Sequence, residues 1–225
     1  SYWSFTLTDG ALRMLVVLYF HQLGYSPLEI ALLFLFYELF GVVTNLLGGW
    51  IAARFGLAAT LLGGLVLQIL ALSMLVVDEA WLTVPYVMAA QALSGIAKDL
   101  NKMSAKSSVK HLAGAGEGRL YKFVAVLTGS KNALKGLGFF SGGALLTLLG
   151  FQGSIAAMAG MLAVVAVVSG VLVDFQLGKT SFKPKFRHLV SKSKPVNRLS
   201  AARFFLFGSR DVWFVVALPV YLQLQ

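Results

Sequence analysis

Residues 119–149 read RLYKFVAVLTGSKNALKGLGFFSGGALLTLL. Apolar and glycine-rich over most of its length, the stretch exceeds the roughly 20 residues that a membrane-spanning helix needs. Lys131 and Lys135 interrupt it near the middle. Four residues apart, their ammonium groups share one helix face and repel each other. An ionisable residue near the bilayer centre costs about 2.5–3.5 kcal/mol on insertion scales and faces a protein interior or a wet cavity. Two cations on one wall, with few acids at similar depth, point to an anion as their partner. That anion need not be part of the protein.

The rest of the chain agrees with a membrane setting. Hydrophobic residues make up 58% and charged residues 12%, with mean hydropathy +0.79, whereas a soluble domain carries about 25% charged residues. The absence of cysteine excludes disulfides and thiolate metal sites within this stretch. The first apolar segment is too long for a signal peptide and lacks a cleavage site. Both ends fall at or inside apolar runs, so a longer parent chain is expected.

Seven spans are predicted, at about 3–23, 28–52, 58–77, 82–104, 119–149, 153–173 and 199–225, separated by glycine, proline and charge breakers. The connections alternate in charge. Residues 21–29, 78–83 and 150–153 contain no Lys or Arg. The intervening connections carry Arg54, then Lys106, Lys110, Arg119 and Lys122, then a basic 174–198 linker from Lys179 to Arg198. The positive-inside rule places these, and the N-terminus, in the cytoplasm. The net charge of +10 is therefore read as topology and contact with anionic lipid rather than nucleic-acid binding. His21, His111 and His188 read as solvated histidines.

At 1.5 Å rise per residue, Arg13 lies about 15 Å deep. Glu38, Lys131 and Lys135 fall near the same midplane, and so do Arg210 and Asp211 of the seventh helix. Asp9 stands one turn from Arg13, at a spacing that permits a pair. Glu38 is expected to meet a lysine of the fifth span. Lys98, Asp99 and Lys102 lie near the cytoplasmic end of the fourth span and read as a gate or interface network. For each charge a structural ion pair is the alternative to a functional role. The midplane set of Arg13, Lys131, Lys135 and Arg210 outnumbers Asp9, Glu38 and Asp211, so the cavity reads as cationic. Asn132, Asn45, Gln91 and Asn101 add polar positions. The third and sixth spans, nearly free of charge, can face lipid. Glycines including Gly48, Gly49, Gly63, Gly64, Gly129, Gly136, Gly138, Gly142 and Gly143 allow close helix approach, in static packing or in a moving bundle. No Ser/His/Asp set, metal cluster or phosphate-cradling motif stands out, so neither enzyme nor cofactor is expected.

Residues 49–56, GWIAARFG, resemble the major facilitator loop motif G-x-x-x-D-R-x-G, with Ala53 in place of the acid. Gly129, Gly138 and Gly142 resemble the glycine motif of major facilitator antiporters, with Gly143 at the proline position. The resemblance implies a fold of about 12 helices in two parallel repeats. This chain would hold a six-helix bundle (1–173), the linker (174–198) and the first helix of a second bundle (199–225). It also implies gating roles for Gly49, Arg54, Gly56, Lys98, Asp99 and Lys102.

Longer runs, YWSFTLTDGALRMLVVLYFHQLGYSPLEIALLFLFYELFGVVTN from Tyr2, AAQALSGIAKDLNKMSAK from Ala89, GSKNALKGLGFF from Gly129 and SAARFFLFGSRDVWFVVALPVY from Ser200, are similar to the ArsJ-type organoarsenical efflux permeases. That similarity implies export of 1-arseno-3-phosphoglycerate across a bacterial inner membrane by a monomer. It also implies a functional link to the glyceraldehyde-3-phosphate dehydrogenase that makes the ester. Arg13, Lys131, Asn132, Lys135 and Arg210 would bind substrate, and Asp9, Glu38 or Asp211 would carry protons. Arg suits bidentate oxyanion contacts and Lys point-charge contacts. A pentavalent ester needs no soft thiolate ligand.

Overall fold

The computed structural model describes residues 1–113, 118–173 and 193–211, and side chains within them except at 110–113, 203–204 and 207–211. The chain divides into two units, Ser1–Pro184 and Lys185–Gln225.

All regular structure among the described residues of the first unit is helical: α1 (Tyr2–Gln22), α2 (Pro27–Leu33), α3 (Leu35–Phe55), α4 (Leu57–Met74), α5 (Val84–Ala113) and α6 (Arg119–Leu172). Helix α7 (Lys194–Asp211) belongs to the second unit. Arg210 and Asp211 close α7, but their side chains lie outside the described residues, as do residues 212–225. Three helical stretches are long and apolar enough to cross a membrane by length and composition: Pro27–Phe55, Leu57–Met74 and Arg119–Leu172.

Local chemistry sets the boundaries. Ser26 starts α2 with a capping box: its backbone N–H donates to Glu29 Oε2 at 2.8 Å, and the Glu29 N–H donates to Ser26 Oγ at 3.4 Å. Pro27 sits at the first turn, where its missing N–H costs nothing. A one-residue step at Phe34 joins α2 to α3, so 27–55 forms one span. Gly56 alone links α3 to α4. Its φ of 91° is one that a side chain disfavours. Its N–H still donates to Ala52 O, and its carbonyl accepts from the N–H and Oγ1 of Thr60. Helix α5 starts at Val84, two residues after the expected start, and continues nine residues past 104.

Helix α6 is two helices joined at a non-helical residue. At 1.5 Å per residue its 54 residues would run about 81 Å, far beyond a hydrocarbon core of about 30 Å. Gly150 breaks it, with φ 67° and ψ −179°. Ser141 and Leu145 before the break, and Ala157, Met158 and Met161 after it, line one apolar cavity of 240 Å³ with Leu7, Thr8 and Ala11 of α1. In a straight helix, positions 141 and 161 would stand about 30 Å apart. The chain therefore turns back at Gly150, and the two arms are the fifth and sixth spans read from sequence.

The three connections without Lys or Arg meet at one end of this unit. Tyr19 stacks on Phe151 with centroids 4.1 Å apart, and its hydroxyl donates to Glu79 Oε2 at 3.3 Å. Gln152 Nε2 donates to Val77 O at 2.8 Å, and Tyr25 packs edge-on against Phe20. The core that follows includes Leu12, Leu15, Val16, Leu65, Leu72, Val87, Ile155 and Leu162.

Lipid tails are as apolar as leucine, so close packing and hydrogen bonds hold helices together in a bilayer. Helices α1 and α6 cross through small residues. A Cβ on Gly10 would lie 2.8 Å from Lys135 O, and one on Gly142 would lie 2.6 Å from Ala11 O. Nothing lies within 4 Å of the Cβ position of Gly63, Gly129 or Gly136. Among the expected packing glycines, Gly48, Gly64, Gly138 and Gly142 are the ones pressed tightly against a neighbour. Helix α4, read as able to face lipid, exposes Val66 and Leu70 on one side and on the other buries Gln68, whose Oε1 accepts from Ser94 Oγ at 2.8 Å. The arm after Gly150 does carry an exposed apolar face at Val164, Val167, Val168 and Val171.

Candidate functional site

Tyr37 of α3 is fully buried and organises the charges around it. The Arg13 guanidinium lies 4.2 Å from its ring centroid and the Lys98 ammonium 4.0 Å. Its hydroxyl donates to Asp9 Oδ1. Glu38, the next residue, ties the same two cations together. Its Oε1 accepts from Arg13 Nη2 at 2.6 Å, and its Oε2 stands 3.6 Å from Lys98 Nζ. Helices α1, α3 and α5 are thereby joined through one ring and one carboxylate.

These partners differ from the pairing expected from spacing. Arg13 reaches across to Glu38 rather than along its own helix to Asp9. Glu38 meets Lys98 of the fourth span instead of a lysine of the fifth. An i,i+4 acid shares the helix face and can pair, but the guanidinium lies over the Tyr37 ring and so reaches α3, where Glu38 is the next residue. Tyr37 takes up the Asp9 carboxylate that this leaves free, an assignment with no periodic signal in the sequence. The trio at the end of the fourth span is also divided: Lys102 Nζ donates to Asp99 Oδ1 at 2.8 Å, while Lys98 turns to Glu38. Gly41 makes room for both, since a Cβ there would lie 2.9 Å from Asp99 Oδ2 and 3.6 Å from Lys98 Nζ.

Lys135 is brought beside this cluster by the Gly10 crossing. It lies within electrostatic reach of Arg13, Asp9, Lys98 and Lys131, and its ammonium is 5.8 Å from the Phe139 centroid. Lys131 and Lys135 are half-buried and Asn132 is exposed. Among the described residues neither lysine forms an ion pair. Arg13, Lys98 and Lys135, with Lys131 beside Lys135, thus stand against Asp9 and Glu38, four cations to two carboxylates, with Lys102–Asp99 neutral beside them. In the loop motif, Gly49 and Arg54 are exposed, Gly56 makes the turn, and the Arg54 guanidinium lies 5.4 Å from the Trp50 ring centroid. Arg210 and Asp211 cannot be related to the cluster, since their side chains lie outside the described residues.

The Major Facilitator Superfamily model matches residues 1–225, the whole chain. The chain belongs to the major facilitator superfamily. No individual curated protein matches it. Membership in the superfamily makes the protein a multi-pass membrane transporter, and the all-helical architecture of the described residues agrees.

Proposed function

We propose that the transporter exports a small, multiply anionic organoarsenical, 1-arseno-3-phosphoglycerate, by alternating access coupled to proton antiport. The observation that carries this reading is the excess of half-buried cations in and beside the Tyr37 cluster: Arg13 and Lys98 at the ring, Lys135 next to them and Lys131 next to Lys135, against the carboxylates of Asp9 and Glu38. A cavity with that imbalance favours an anionic guest, and Arg and Lys are the residues that recognise phosphate and arsenate oxygens. The choice of ester rests on the resemblance of the longer runs to organoarsenical efflux permeases. In this reading Lys131, Lys135 and Asn132 line the substrate wall with Arg13, and Arg210 is proposed as a further substrate-binding residue. Lys98, Asp99, Lys102 and the Gly49–Gly56 loop serve closure. Asp9, buried against a phenol, is the proton carrier we favour over Glu38 and Asp211. The bundles rock around a midplane site, with the Lys- and Arg-rich connections on the cytoplasmic side.

Uptake of labelled 1-arseno-3-phosphoglycerate into everted vesicles containing the full-length protein tests the proposal. Saturable uptake driven by a proton gradient is expected. Uptake no faster than in empty vesicles would overturn it, and uptake exchanged only for internal phosphate would make the protein a sugar-phosphate or phosphate exchanger.

A further inference from the structure

We infer that Arg13 and Lys98, seated on the two-cation platform of Tyr37, form a site for a tetrahedral oxyanion, and that the Glu38 carboxylate is its resident stand-in. The inference rests on the proposed anion transport and adds to it the place where an oxyanion group binds and what it displaces.

Three observations on different atoms converge. The cations are built in, whereas the carboxylate is not. The side chains of Arg13 and Lys98 are 24% and 22% exposed over a ring that is fully buried, while Glu38 is 60% exposed. The Arg13 hydrogen bonding is half used. Its Nε–H and Nη2–H lie along one edge of the guanidinium, the edge that grips a carboxylate or phosphate with two parallel bonds. Glu38 Oε1 takes Nη2 at 2.6 Å, yet the buried Nε has no partner among the described residues. Lys98 is held loosely, with Nζ 3.6 Å from Glu38 Oε2, beyond good hydrogen-bond distance. A flat carboxylate spanning the two cations satisfies neither fully. A tetrahedral group presents oxygens in three further directions. It can fill both positions of the Arg13 edge while sending a third oxygen to Lys98.

Displacement also has a physical rationale. With Glu38 removed and nothing in its place, two cations would stand against one ring with Asp9 as the counter-charge left near both. The carboxylate keeps the empty site neutral enough to persist, and its exposure lets it swing away when a doubly charged anion arrives. Lys98 thereby acquires a direct substrate contact beyond its place in the cytoplasmic gate. Tyr37 is a positioning residue that sets the separation of the two cations and leaves Asp9 hydrogen-bonded from the other end of the same side chain.

The test titrates the full-length protein in phospholipid-free detergent with inorganic arsenate and inorganic phosphate, reading ligand-induced thermal stabilisation. Glu38→Gln should bind the inorganic oxyanions about tenfold or more tighter than wild type, because the internal competitor is gone. Adding Lys98→Met to that variant should abolish the gain. Wild-type binding with no gain in Glu38→Gln would overturn the stand-in and leave anion transport standing. A gain that survives Lys98→Met would move the oxyanion elsewhere and overturn the clamp. No response to any oxyanion in either folded protein would overturn both readings. Should Glu38→Gln fail to fold, Glu38→Asp, whose shorter carboxylate reaches the cations less well, must show an intermediate gain, and its absence counts equally against the inference. Lyso-phosphatidylglycerol forms a second arm. Stabilisation by that headgroup and not by inorganic anions would assign the clamp to lipid and overturn its role toward a soluble substrate.

Discussion

Gly95 of α5 lies directly against the backbone of Tyr37 in α3. A Cβ added to Gly95 would stand 3.0 Å from the Tyr37 Cα and closer still to its carbonyl oxygen. The cation platform is therefore located by a backbone-to-backbone contact that admits no side chain, and the Lys98 that shares the ring is three residues along the same helix.

Gly95→Ala should push α3 from α5 and lower stability by about 1–3 kcal/mol, the usual range for overpacking. Gly63→Ala, in α4 with nothing within 4 Å of its added methyl, should be neutral or gain up to about 1 kcal/mol from helix propensity. Melting temperatures of the two variants in detergent decide the matter. Equal effects would mean that the Gly95 contact does not constrain the helix pair.

Lys131→Ala should leave the protein folded while weakening oxyanion binding about 10- to 150-fold, the equivalent of losing a charge-assisted contact of about 1.5–3 kcal/mol. Among the described residues Lys131 has no carboxylate partner to strand, so stability should not fall as it would if half of a buried pair were removed. Paired melting curves with and without substrate separate the cases. A variant that melts much lower yet still gains full stability from substrate would remove Lys131 from the site.

Asp9 and Tyr37 predict a pair of unlike effects. Tyr37→Phe keeps the ring under Arg13 and Lys98 but takes the hydroxyl from the Asp9 carboxylate, at a cost of about 1.5–3 kcal/mol. Asp9→Asn keeps an oxygen acceptor and should be milder in stability, but it should flatten the pH dependence of proton-driven transport if Asp9 carries the proton. Transport measured across pH in vesicles checks this. A wild-type pH profile in Asp9→Asn would return the carrier role to Glu38, Asp211 or the second bundle.

The connection at Asp78 is expected outside the cell and the linker around Lys185, which lies outside the described residues, inside it. Single cysteines at positions 78 and 185 of the cysteine-free stretch, probed in intact cells with an impermeant thiol reagent, should label at 78 only. Labelling at 185 and none at 78 would reverse the orientation.

The helices were legible because each is written in local terms: an apolar run, a proline at 27, a glycine at 56 and another at 150. Their charges were legible as a set, since an excess of cations at similar depth can be counted along the chain. Their partners were not. Spacing suggested Asp9 for Arg13, and it offered no reason to single out Tyr37, an aromatic residue in an apolar helix like many others here. Gly10, Gly41 and Gly95 carry no such mark in the sequence, because close approach is a property of two helices, whereas at Gly129 and Gly136, equally suited to packing by composition, an added Cβ would meet nothing within 4 Å among the described residues.

The sequence by itself determined a helical membrane protein with alternating basic connections, because hydropathy, caps and charge placement act within a few residues of one another. Only the tertiary structure decided that Glu38 bridges Arg13 and Lys98, and that Tyr37 carries both cations while holding Asp9. Those contacts span 24 to 61 positions of chain. At such separations no helical period relates the partners, and the choice among several acids and bases falls to the angles and depths at which α1, α3, α5 and α6 pack.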